Sequence, residues 1–200
     1  MKYIQDNFLI TGFGRSGTNF LSNIMNSSPT WEVLHEPRGA NDEISYKTNK
    51  PYPSQISTDF NTKEKYGEVN SYLRFWFHQV PVSKKGIILR NPKHIIKSVA
   101  NRKTIQETTN LVNEINYFWN IFHEWKQTDP SIYIIYFEKM VTDLDYLESI
   151  LRYFNILDAN IDININKKIN SNTFESYPSY NELPDQIKHE YNKFKWDRYA

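Results

Sequence analysis

Cysteine is absent from the 200 residues, so disulfides and thiolate metal sites are excluded. An excess of one charge is missing too. The 24 lysines and arginines stand against 23 aspartates and glutamates, a net charge of +1, which gives no reason to expect a nucleic-acid partner or an anionic membrane. No apolar run approaches the roughly 20 residues of a membrane-spanning helix. The N-terminus lacks a charged, then apolar, then small-residue leader, and the expectation is a soluble, cytoplasmic protein. No internal repeat is visible. His78, His94, His123 and His189 are scattered without metal-ligand spacing. What remains is an ordinary globular composition. Hydrophobic residues are 39% and aromatic residues 16%, which excludes a disordered chain. The length predicts one domain over residues 1–200, large enough for a proper core.

One stretch organises the chain, running from Phe8 to Leu21. Its apolar start, Phe8-Leu9-Ile10, reads as a buried strand. Glycines then permit a tight turn and leave room for a ligand against the backbone. Phe20, Leu21, Ile24 and Met25 resume the apolar pattern at helical spacing. A strand, a glycine turn and a helix start point backbone N–H groups and the positive end of a helix dipole at one spot, which makes an anion site. Gly12 and Gly17 fit the glycines of the nucleoside-triphosphate loop G-x-x-x-x-G-K-[ST], but Thr18 stands at the lysine position and Asn19 follows it. The positive charge sits inside the turn, at Arg15. The plainer reading is a strand-to-helix connection with no ligand.

Further along, Trp31 to Leu34 reads as a second strand ending in the polar turn His35-Glu36-Pro37-Arg38-Gly39. Residues from Ala40 to about Glu64 form a long polar loop, of the kind that is often functional. Tyr66 to Val69 suggests a short strand, and Tyr72 to Val80 a helix stopped by Pro81. Gly86 to Leu89 is a buried strand. Asn91 suits the cap of the next helix and Pro92 its first position. A longer helix is expected over Thr108 to Lys126, a strand over Ser131 to Phe137, a helix over Leu144 to Phe154 and a terminal helix over Glu182 to Trp196. Strands alternating with helices indicate an α/β fold, a parallel sheet covered on both faces. Ligands bind at the C-terminal ends of such strands, so the loops after Thr11, Leu34 and Leu89 are expected to share one rim.

Gly14-Arg15-Ser16-Gly17-Thr18 resembles the 5′-phosphosulfate loop of sulfotransferases that use 3′-phosphoadenosine-5′-phosphosulfate (PAPS), in the form seen in protein-tyrosine sulfotransferases and bacterial relatives. Arg90, at a strand end, and Ser98, in the following helix, match the spacing of that family's 3′-phosphate site. Arg102, one turn beyond Ser98, matches a further basic residue of the tyrosine-type members. By themselves, Arg90 and Ser98 are read more readily as a surface ion pair and a solvent-facing hydroxyl than as a phosphate site. Ile135 to Met140 looks like the stretch after a family strand, with Tyr136 as a nucleotide contact. The resemblance runs from about Phe8 to Phe154. It implies a three-layer sandwich with a central parallel sheet, the P-loop NTPase-like sulfotransferase fold. It also implies PAPS as donor and 3′,5′-phosphoadenosine (PAP) as product, held by Gly14, Arg15, Ser16, Gly17, Thr18, Asn19, Arg90, Ser98, Arg102 and Tyr136, with no metal.

The base is sought at the second strand end, where His35 and Glu36 both qualify. The tyrosine-type pattern places a glutamate at the spacing from Arg15 to Glu36 and an arginine two residues on, at Arg38. Glu36 is therefore preferred, with Arg15 and His35 as further catalytic candidates and Arg38 as an acceptor contact. Neighbours on an extended chain point to opposite sides, so only one of His35 and Glu36 is expected to face the reaction, with Arg38 holding Glu36. The plainer reading makes Glu36 a turn carboxylate. Many family members carry a catalytic lysine near the third strand, but Val69 stands there, and Lys63, Lys65, Lys84 and Lys85 are the nearby substitutes. The C-terminal third offers Lys167, Lys168 and Asn172 as adenine contacts. The chain is short for the family, which leaves an acceptor pocket that is reduced or completed by a second copy in a homodimer. The acceptor class stays open among small molecules, carbohydrates, lipids and peptides, and the 40–65 loop is expected to border it. Two other readings stand beside this one: a nucleotide-kinase-like phosphotransferase, which would need a loop lysine, and a catalytically inactive nucleotide-binding module.

Overall fold

The computed structural model describes residues 6–41, 60–100, 105–159 and 185. Its elements are β1 (Asn7–Gly12), α1 (Thr18–Met25), β2 (Glu32–His35), β3 (Tyr66–Val69), a 3-10 turn (Tyr72–Phe75), β4 (Lys84–Leu89), α2 (Pro92–Ala100), α3 (Ile105–Thr128), β5 (Tyr133–Tyr136), α4 (Phe137–Met140) and α5 (Leu144–Tyr153). The Asn/Ile-rich stretch after Ile161, the terminal helix, Lys167, Lys168, Asn172 and most of the 40–65 loop lie outside the described residues.

The strands form one five-stranded sheet in the order β2-β3-β1-β4-β5. Every pairing is parallel, as the alternation of strands and helices implies. Register aligns Ile10 and His35 with Val69, Gly12 with Ile88, and Leu89 with Tyr136. The C-terminal ends of all five strands therefore form one rim.

The continuous apolar runs are explained by burial on both faces. Side chains alternate along β1, so Leu9 joins one core while Phe8 and Ile10 join the other. The first core packs Ile87 and Leu89 against Ile95 and Ile96 of α2 and Ile115, Phe118, Trp119 and Phe122 of α3. The second packs Val33, Ile88 and Ile135 against Leu21, Ile24 and Met25 of α1 and Leu147, Ile150 and Leu151 of α5. Each such side chain, when fully buried, contributes roughly 1.5–3 kcal/mol. The sheet is thus the middle of three layers, as the resemblance implies. Asp143 caps α5, accepting the backbone N–H of Tyr146 at 2.9 Å.

Two elements differ from the sequence expectation. The helix expected over Tyr72 to Val80 is a single 3-10 turn over Tyr72–Phe75 followed by turns. Arg74 explains the departure: it is buried, its Nη1 donates to the Ser71 carbonyl at 2.6 Å, and its guanidinium lies 4.5 to 5.4 Å from the rings of Phe75, Phe118 and Phe13. An α-helix running on from Tyr72 would present its polar side to solvent, whereas this segment has to bury the arginine. The last strand stops at Tyr136, and Phe137 opens α4 instead.

Candidate active site

The rim holds a cavity of about 370 Å³ lined by Gly14, Arg15, Gly17, Thr18, Asn19, Phe20, His35, Glu36, Ser71, Tyr72, Arg90 and Phe137. Three separate strand ends contribute: Arg15 follows β1, His35 and Glu36 close β2, and Arg90 follows β4.

The floor is the loop between β1 and α1. Gly17 has φ +99°, a left-handed conformation that L side chains rarely adopt, and a Cβ there would run into the ring of Phe137. A Cβ on Gly14 would meet nothing within 4 Å, so the glycine leaves open space on the cavity side. Arg15 is also left-handed, at φ +71°. Its carbonyl accepts a 2.7 Å bond from Nη1 of Arg90, whose guanidinium rests 4.3 Å from the centre of the Phe137 ring. Arg90 is thereby fixed beside the loop. No acidic residue occupies the first turn of α1 and no side chain caps it. The N–H groups of its first turn have no partner within the helix and open toward the cavity with the positive end of the dipole. Ser16 is fully buried under the turn, and its hydroxyl has no hydrogen-bond partner among the described residues.

The wall opposite the arginines is carried by β2 and the segment after β3. Strand β2 stops at His35, and Glu36 turns left-handed at φ +47°, a conformation that costs a non-glycine residue of order 1–3 kcal/mol. This turn breaks the strand alternation. His35 and Glu36 therefore line the same cavity, where an extended chain would have pointed them apart. His35 Nε2 lies 3.2 Å from the Thr18 hydroxyl and 3.7 Å from Glu36 Oε1. Burial lowers the His35 pKa from its ordinary 6.5, against the weaker upward pull of the Glu36 carboxylate. The ring is therefore neutral at neutral pH. Glu36 Oε1 accepts both the backbone N–H of Ser71, at 3.3 Å, and the Ser71 hydroxyl.

The remaining sequence candidates fall elsewhere. Arg38 meets Glu68, with Nη2 at 2.7 and 2.5 Å from the two carboxylate oxygens. Ser98 is buried in α2, where its hydroxyl donates to the Ile95 carbonyl at 2.7 Å, and it does not line the cavity. Tyr136 is exposed at the end of β5, outside the lining. Arg102 lies outside the described residues. The lysines weighed as substitutes sit at the far end of the sheet. Lys63 pairs with Glu32 at the start of β2, the Lys65 carbonyl accepts the Glu32 N–H, and Lys84 and Lys85 begin β4. Among the described residues no lysine lines the cavity, and no group of three or more His, Asp or Glu side chains is placed to hold a metal ion. No described helix is long and apolar enough to cross a membrane.

Sequence reasoning missed Ser71 and Phe137. The signal for Ser71 was the polar pair Asn70-Ser71 directly after a buried strand end, beside the proposed base in the sheet.

Solved structures share this fold. The sulfotransferase domain of the olefin synthase of Synechococcus PCC 7002 superposes with a TM-score of 0.56 over 95% of this chain and 94% of that one, at 12% identity. The chain has the sulfotransferase fold. Sulfotransferase STF1 of Mycobacterium tuberculosis H37Rv agrees, with a TM-score of 0.55 over 96% of this chain and 77% of that one, at 11% identity. No protein-family model matches the sequence, and no curated protein does. At such identities the shared property is the sulfotransferase fold, which places the loop, Glu36 and Arg90 on one rim; the chemistry has to be argued from those residues.

Proposed function

We propose that the protein is a PAPS-dependent sulfotransferase that moves a sulfuryl group to an acceptor hydroxyl or amine. The observation that carries this reading is the single cavity in which the Gly14–Asn19 loop and Arg90 face Glu36 across the sheet rim. The loop N–H groups, Arg15 and Thr18 take the 5′-phosphosulfate, and Arg90 takes the 3′-phosphate side of the nucleotide. Glu36 receives the acceptor proton. The new acceptor-to-sulfur bond forms as the bond from sulfur to the phosphate oxygen breaks, and PAP leaves with that oxygen. The loop N–H groups are set by the turn before the reaction begins, so they stabilise charge on the transferring group without reorganising, and the Arg15 guanidinium adds its positive charge.

The kinase-like reading lacks support at the same place. Thr18 occupies the position of the loop lysine and is buried against His35. Incubating the protein with PAPS and a metabolite extract, with mass spectrometry of the products, tests the proposal. A new species heavier by one sulfuryl group, together with PAP, is expected. PAPS that stays intact, or a phosphorylated product formed from ATP, would overturn it.

A further inference from the structure

We propose that Glu68 and Arg38 are positioning residues for Glu36, and that Arg38 is not an acceptor contact. The inference rests on the reading of Glu36 as the base.

Glu68 is a carboxylate in the middle of a four-residue strand and is fully buried. A buried charge has to be paired and hydrogen-bonded. Glu68 meets that need with three partners. Arg38 Nη2 contacts both oxygens, the Tyr66 hydroxyl donates to Oε1 at 2.7 Å, and the Asn70 side-chain amide donates to Oε2 at 3.0 Å.

Two of those partners lead to Glu36 from opposite sides. Arg38 belongs to the tight turn after β2, in which the Gly39 N–H donates to the Glu36 carbonyl at 2.9 Å. Anchoring Arg38 to the sheet therefore fixes the turn that holds Glu36 left-handed. Asn70 precedes Ser71, which holds the Glu36 carboxylate. Asn70 is itself pinned, because its side-chain oxygen accepts the Tyr72 N–H at 3.0 Å and its carbonyl accepts the Thr11 hydroxyl at 2.9 Å. One buried carboxylate thus fixes both the backbone that presents the base and the serine that aims it. The guanidinium of Arg38 is neutralised by Glu68, so it offers no net charge with which to select an anionic acceptor.

The test uses the whole chain in three forms: wild type, Arg38→Lys, and the double variant Arg38→Met with Glu68→Gln. The double variant removes both charges together, because removing one alone would strand the other in the core. Amide hydrogen exchange at Ser71 reports the Glu36 contact without any nucleotide. Exchange is expected to speed up about tenfold or more in the double variant and to stay within about threefold of wild type in Arg38→Lys. PAPS consumption with water as acceptor should fall about tenfold or more in the double variant, while PAP affinity by calorimetry stays within about threefold, since a lost charge-assisted contact is worth roughly a decade. A double variant that protects Ser71 as the wild type does would overturn the proposal. A wild type that neither binds PAP nor consumes PAPS would refute the enzymatic reading instead, and the exchange result would still decide the positioning.

Discussion

The two rims of the sheet carry similar side chains and use them differently. At the N-terminal rim, polar groups are absorbed by neighbours. Lys63 pairs with Glu32, Lys84 donates to the Tyr153 carbonyl and Lys85 to the His78 carbonyl. At the C-terminal rim, Arg15, His35, Glu36 and Arg90 converge on one cavity from three strand ends. A count of charges would not separate the two rims. What separates them is the glycine turn, which opens space and aims backbone donors at one point. In a parallel sheet only the C-terminal rim receives that turn, because there the strands hand over to helix N-termini.

The sharpest way to break this contrast is at Glu36. Glu36→Gln keeps the shape and removes the basicity, and it should lower the rate of PAP release from PAPS by roughly 10²–10⁴-fold, the usual range for loss of a general base. PAP affinity should stay as in the wild type. A variant that turns over normally would remove Glu36 from the chemistry. The next effect belongs to Arg90, where a charge-assisted contact contributes roughly 1.5–3 kcal/mol. Arg90→Ala should weaken PAP binding by about tenfold or more in calorimetry, and an unchanged affinity would remove it from the site.

A smaller effect concerns pH. The His35 pKa is lowered from 6.5 by burial, so below that value the unfolded chain binds more protons than the folded one at this residue. The stability it contributes is full above pH 6.5 and is lost as pH falls through the folded value. His35→Asn should make the loss of Tm on acidification shallower. The slope will not vanish, because burial also lowers His78 and His123. A steeper acid loss in the variant would contradict the neutral ring. The smallest effect is expected at the opposite rim. Lys84→Met should leave PAP affinity within about twofold, as distant sites without shared partners behave independently. A loss comparable to that of Arg90→Ala would erase the distinction between the rims.

The sequence carried the frame of this contrast and not its details. Apolar runs at Phe8 to Ile10 and Gly86 to Leu89 marked the central strands, since burial on both faces leaves no other composition. The turn glycines and the ends of β2 and β4 then located Arg15, Glu36 and Arg90. The orientation of Glu36 was not legible, because alternation holds only while the strand lasts, and the strand ends one residue earlier. The pairing of Arg38 was not legible either, because its partner, Glu68, lies 30 residues away on the neighbouring strand. Pairing across a sheet is a tertiary fact that local spacing does not record. Arg74 likewise spoiled the helix pattern after Tyr72 by burying its guanidinium among phenyl rings.

The central claim is that this rim is a metal-independent site for the donor nucleotide, with its two phosphates divided between the glycine turn and Arg90. Calorimetric titration of the protein with PAP in excess EDTA, run beside ATP with magnesium, tests it most directly. The account predicts one PAP bound per chain without metal, more tightly than ATP. Absence of PAP binding in EDTA, or tighter binding of ATP with magnesium, would contradict it.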